Sequence, residues 1–138
     1  MWLESLLTKN TDVRISELCD YEVRRGLLRV ANSLKKTDIE RAIHRDTIGK
    51  LDALKSALGY IPITTAIMLK AAEFWADMRN RGYPTASDEA LDGDMILCAQ
   101  VAMLAADGHT VVVATENTKH LSHLITAKMW RDITAEEK

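Results

Sequence analysis

The stretch Asp94-Met95-Ile96-Leu97-Cys98-Ala99-Gln100-Val101-Ala102-Met103-Leu104-Ala105-Ala106-Asp107, bounded by Gly108 and followed by Val111-Val112-Val113-Ala114, decides how the chain is read. The first part is rich in Ala, Leu and Met and carries charge only at its ends, which predicts an apolar helix stopped by the glycine. The four apolar residues that follow are too few for a helix and three of them are β-branched, so they predict a strand buried on both faces. A helix that feeds directly into such a strand is the repeating step of α/β proteins.

Towards the N-terminus the same alternation recurs. Val13 to Ile15 reads as a short strand, and Ser16 followed by Glu17 and Asp20 reads as a helix cap with acids in the first turn, opening a helix over 17–30. A short charged helical stretch is expected over Asp38 to Arg45. A separate helix is expected over Thr47 to Leu58, with Ile48, Leu51, Leu54 and Leu58 on one face and Gly59 as a left-handed cap. Tyr60-Ile61-Pro62-Ile63 reads as a strand that its proline confines to an edge or an end. Thr64 or Thr65 caps a helix over Met68 to Asn80, which ends before Gly82 and Pro84; the segment Tyr83 to Leu91 is loop-like. A last strand is expected near Ile133, and Ala135 to Lys138 reads as a solvated tail. The expectation is one α/β domain over 1–138, with a parallel sheet and right-handed crossovers.

Composition narrows the function. The chain has 138 residues and a formal net charge of -2, with 18 basic and 20 acidic residues, which argues against a dedicated basic nucleic-acid binder of the histone or homeodomain kind. A chain of this size buries roughly two thirds of its unfolded surface and needs no disulfide or structural metal to hold a core. No apolar run approaches the roughly 20 residues of a membrane span, and Met1-Trp2-Leu3-Glu4 lacks the basic start of a signal peptide, so a cytoplasmic protein without a membrane partner is expected. Cys19 and Cys98 form no Cys-x-x-Cys pair and fall in apolar periodic segments, where reduced core thiols are expected.

In open α/β sheets ligands bind beyond the carboxyl ends of the strands. Three places qualify: the helix carrying Glu17, Asp20 and Glu22; the run Asp88-Glu89-Ala90-Leu91-Asp92-Gly93-Asp94; and Thr115-Glu116-Asn117. The middle run holds four acids and no base. At an effective dielectric near 20 each pair of carboxylates about 4 Å apart costs on the order of 4 kcal/mol. A helix N-terminus offsets roughly 0.3 to 2 kcal/mol per acid, and a hard divalent cation is the alternative compensator. Each residue also has a plain structural reading. Glu22 can pair with Arg25 or Arg29 along its helix, Glu116 and Asn117 can shape a turn, and His120 and His123 lack a third ligand of the right type.

Three segments, taken in order, resemble the motifs of PIN-domain proteins, the nuclease family that includes VapC-type toxins. They are Ser16-Glu17-Leu18-Cys19-Asp20-Tyr21-Glu22-Val23-Arg24-Arg25-Gly26-Leu27-Leu28, Leu91-Asp92-Gly93-Asp94-Met95-Ile96-Leu97-Cys98-Ala99-Gln100, and Val112-Val113-Ala114-Thr115-Glu116-Asn117-Thr118-Lys119-His120-Leu121. The resemblance covers about Trp2 to Ile133. It implies a doubly wound, mostly parallel sheet flanked by helices and a Mg²⁺- or Mn²⁺-dependent ribonuclease that cuts RNA with water. By match to the motifs, Glu22, Asp92 and Asp94 are the implied catalytic and metal-binding acids. Asn117 stands where many members have Asp, so the fourth ligand is neutral or Glu116 substitutes for it. Arg24, Arg25 and Arg29 become candidates for RNA phosphate contacts. An antitoxin protein and a homodimer are the partners the resemblance implies.

The family's opening strand, which ends in Asp and lies at the sheet centre, has no counterpart here; 1–10 instead resembles the helix that follows it. The expectation is a sheet that rearranges, pairs its remaining strands directly or borrows one from a partner, and a site with one ligand fewer that binds metal weakly. The other reading is a non-catalytic PIN-fold module that binds a partner protein.

Overall fold

The computed structural model describes residues 1–83 and 91–135. Its elements run α1 (Trp2–Thr8), β1 (Arg14–Ser16), α2 (Glu17–Ala31), α3 (Asp38–Ala57), β2 (Gly59–Ile61), α4 (Thr65–Asn80), α5 (Gly93–Ala106), β3 (Val113–Thr115), α6 (Thr118–Leu121) and β4 (Ala127–Met129), with a 3₁₀ turn over Trp130–Asp132. The class is α/β, as the alternation predicts. The described strands form two parallel pairs, β1 with β2 and β3 with β4. The chain divides into two compact units, 12–62 and 1–11 with 63–138.

In the 12–62 unit, Arg14 stands opposite Gly59 and Ser16 opposite Ile61. The Ser16 hydroxyl accepts from the Leu18 amide, so the last strand residue is also the cap of α2. Two expected helices are one. Thr37 opens α3 with a capping box to Glu40, and the helix passes through Asp46 and Thr47 without a break. Thr47 is internal to this helix, and its hydroxyl donates back to the Ile43 carbonyl at 3.0 Å instead of capping a new one. Gly59 is not a left-handed cap either; Leu58 is already extended and Gly59 opens β2. A Cβ on Gly59 would lie 2.8 Å from Cγ of Arg14, so glycine is there to admit the side chain of the neighbouring strand. β2 stops one residue before Pro62, at the strand end the proline demands.

In the other unit, Thr64 caps α4 through the Ile67 amide, which starts the helix three residues earlier than Met68. Both α4 and α5 end in the same way. Gly82 and Gly108 adopt φ of 81° and 93°, and the amides of Tyr83 and His109 return to the carbonyls of Met78 and Leu104. α5 is the core element: Met95, Ile96, Cys98, Ala99, Gln100 and Val101 are all buried, and α4 contributes Ile67, Ala71 and Met78. The strand expected at 111–114 is shifted to β3 and is only half-buried, since β4 is its one neighbour among the described residues. The last strand lies at Ala127–Met129 rather than at Ile133, which follows the 3₁₀ turn. Trp2 ties α1 to this end of the chain: its indole donates to the Ile133 carbonyl at 2.9 Å and meets the Trp130 ring edge-on at 5.6 Å. The loop over 84–90 and the tail over 136–138 lie outside the described residues. No described helix is long and apolar enough to cross a membrane.

Candidate functional site

The acids of the middle run, Asp92 and Asp94, sit at the opening of α5. Asp92 is the N-cap: it is buried, and its Oδ1 accepts from the Met95 amide at 3.3 Å. Asp94 lies in the first turn, half-buried, and accepts no hydrogen bond from any described residue. Burial first, and the neighbouring Asp92 charge second, push its carboxyl above the usual range, while His120 on α6 pulls the other way. One helical turn below, the buried Cys98 thiol is pushed up to about 12, by burial first and then by Asp94 and Asp92. The negative potential of the pair thus extends into the core beneath it. Asp88 and Glu89, the other acids of the run, lie outside the described residues.

A half-buried carboxylate with a second one beside it is what a hard cation stabilises. Two carboxylates with several waters and substrate phosphates are an ordinary Mg²⁺ set. Among the described residues, no three His, Cys, Asp or Glu side chains gather into a closed metal cage. Asn117 is exposed; its amide donates to the Thr115 hydroxyl at 3.0 Å, and its side chain does not cap α6. Glu116 accepts from the Trp130 indole at 3.3 Å. The side chain that bends the chain here is that of Thr115, while Glu116 reaches the 3₁₀ turn fourteen residues on. The two histidines separate. His123 stacks on Tyr83 with ring centroids 4.3 Å apart, whereas His120 acts on Asp94. The influence of His120 is the feature that sequence reasoning missed, and its place four residues after Glu116 offered no signal for it.

Glu22 belongs to the 12–62 unit, on the exposed side of α2. The expected pairing with Arg25 or Arg29 does not form, because Arg25 lies over the Tyr21 ring instead, 5.4 Å from its centroid. Arg24 is not available to phosphate as expected. It grips buried Asp20 with two bonds of 3.0 Å and reaches Asp52 on α3 at 2.7 Å. That bridge holds the Asp20 carboxyl below its ordinary value, through the Arg24 hydrogen bond first, and raises the Arg24 guanidinium. Nearby, the Tyr60 hydroxyl donates to Glu17 at 3.0 Å, and burial followed by that bond pushes the phenol up to about 12. Cys19 is exposed, contrary to the core position expected for it; Cys98 is the core thiol.

Compared with known proteins, the chain matches no family model and no curated protein sequence.

Proposed function

We propose that the chain is a PIN-like, metal-dependent ribonuclease domain, built on a doubly wound sheet, in which Asp92 and Asp94 hold Mg²⁺ or Mn²⁺. The observation that carries this reading is Asp94: a half-buried carboxylate beside a second one, with no hydrogen-bond donor among the described residues. Such a group costs stability and is retained where it serves a function. Bound there, a divalent ion supplies charge neutralisation for an RNA phosphate and a more acidic water. Asp92 caps the helix through Oδ1, and Asp94 beside it provides the uncompensated charge. Asn117, in the same unit, is a further ligand that the motif resemblance implies, and an antitoxin protein is the corresponding partner.

Calorimetric titration with MnCl₂ at neutral pH tests the reading. A weak isotherm is expected, abolished in Asp94→Asn. An isotherm that Asp94→Asn leaves unchanged places the ion elsewhere.

The second reading, a non-catalytic PIN-fold module, is favoured by Ile39 and Ile43 at 74% and 56% exposure, one turn apart on α3. Light scattering after size exclusion tests self-association through them: a dimer that Ile43→Asp dissociates is expected, and a monomer at high concentration removes that partner.

A further inference from the structure

Between α4 and α5, both in the unit of 1–11 and 63–138, lies a cleft of about 290 Å³. Small-ligand pockets start at about 300 Å³, so it has the size of a site for a small molecule. Its floor belongs to the core, since Ala71, Met95 and Ile96 are all buried. Its rim does not: Met68 is 37% exposed and Leu91 73%. Trp75 stands half-buried in the wall, and the two methionines are unbranched side chains that adapt to what lies against them.

The charge of the cleft has one sign. Asp92 is the one charged residue among the described residues that line it. The bases of α4 stand outside the lining: Lys70 pairs with Glu73 at 3.0 Å, and Arg79 lies over the Trp75 ring, 4.9 Å from its centroid. The dipole of α5 brings roughly half a positive charge to the same end, which Asp92 and Asp94 together outweigh. An apolar trough that ends at a carboxylate sorts ligands by head group: an ammonium gains a charge-assisted bond, and an acid meets like charge.

We propose that this cleft binds a small alkyl- or arylalkylammonium ligand, with its apolar body among Met68, Trp75 and Met95 and its ammonium at Asp92. Burial of the hydrocarbon supplies the affinity, and Asp92 supplies the choice of a cationic head. Asp92 is also an acid of the proposed metal site, so the bound ammonium excludes the divalent ion. That exclusion rests on the ribonuclease reading; the cleft itself does not.

Amide NMR spectra of the labelled chain, titrated in EDTA at neutral pH with n-hexylammonium chloride, n-hexanol or sodium hexanoate, test the cleft apart from any metal. Hexylammonium is expected to shift the amides of 68–75 and 91–96 saturably and to bind about tenfold more tightly than hexanol, with hexanoate weakest. Asp92→Asn keeps a residue that caps as well as Asp and should bring hexylammonium to the level of hexanol. Ala72→Leu, at an exposed position in the lining, should weaken both by filling the space. The ranking of the three probes on the parent decides the matter even if a variant fails to fold. The proposal is overturned by shifts that do not saturate or that fall outside those two stretches, by hexanol or hexanoate binding as tightly as hexylammonium, or by a folded Asp92→Asn that binds hexylammonium as the parent does. Calorimetry with MnCl₂ in saturating hexylammonium should give a weakened isotherm, and an isotherm that the amine leaves untouched overturns the exclusion. Amine binding by a chain that takes up no Mn²⁺ upholds the cleft and sinks the metal site; Mn²⁺ binding by a chain that takes up no amine does the reverse.

Discussion

Asp94 is a residue whose environment works against its charge. A carboxyl raised in the folded state destabilises that state at pH values above both pKa values, and the penalty fades as acid protonates it through the raised value. Asp94→Asn should therefore raise the melting temperature at neutral pH, with a difference from the parent that shrinks below the ordinary carboxylate range. An equal or lower melting temperature at pH 7 would show that Asp94 is compensated within the chain. The thiols separate in the same experimental window. Cys19 is exposed and Cys98 is buried with its thiol pushed up to about 12, so a thiol reagent at pH 8 should label one cysteine in the native protein and two in denaturant. The sequence pointed to Asp92 and Asp94 because four acids without a base need an explanation. It pointed to His120 only as one of a pair with His123 and not as a neighbour of Asp94, since that depends on how α6 returns to α5. Cys19 was misjudged because it lies between two buried neighbours, Leu18 and Asp20, and apolar periodicity does not resolve single positions on a helix this short of buried residues.

At the scale of elements, α2 and α3 depend on polar contacts more than on apolar burial. α3 spans 20 residues and buries none of them. Its junction with α2 is held by Arg24 between Asp20 and Asp52, and by Arg45 donating to the Ala31 carbonyl at the end of α2. Arg24→Ala leaves buried Asp20 without its guanidinium and should cost about 2 kcal/mol in urea unfolding. The Asp20 contribution is present above its unfolded pKa and is lost as pH falls through the lowered folded value, so the parent and the variant should converge in acid. A loss that persists unchanged at low pH would assign the effect to packing. The starts of these helices were legible, since Ser16, Thr37 and Thr64 are capping residues that precede acidic or apolar turns. The continuity of α3 was not legible. Thr47 after charged Arg45 and Asp46 has the form of a helix start, and only its bond to Ile43 shows that it is internal.

Across the whole molecule, apolar burial is uneven. Most of the buried apolar side chains, from Leu6 through Met78, Met95 and Val101 to Leu121, belong to the unit of 1–11 and 63–138; 12–62 adds Leu18 and Ala31. The parallel α/β class was readable from the alternation of short apolar runs with helices. The division of the strands into two pairs was not, because pairing is fixed by contacts far apart in sequence. With so little apolar area, 12–62 should lose its structure first in denaturant, by local unfolding ahead of α5. All three tryptophans, Trp2, Trp75 and Trp130, lie outside 12–62, whereas Tyr21 and Tyr60 lie within it. Indole emission therefore watches one unit alone, and ellipticity at 222 nm, dominated by helices on both sides of the division, watches the sum. The dichroic signal should fall at a lower urea concentration than the emission maximum shifts; superimposed curves would mean that the chain melts as one body.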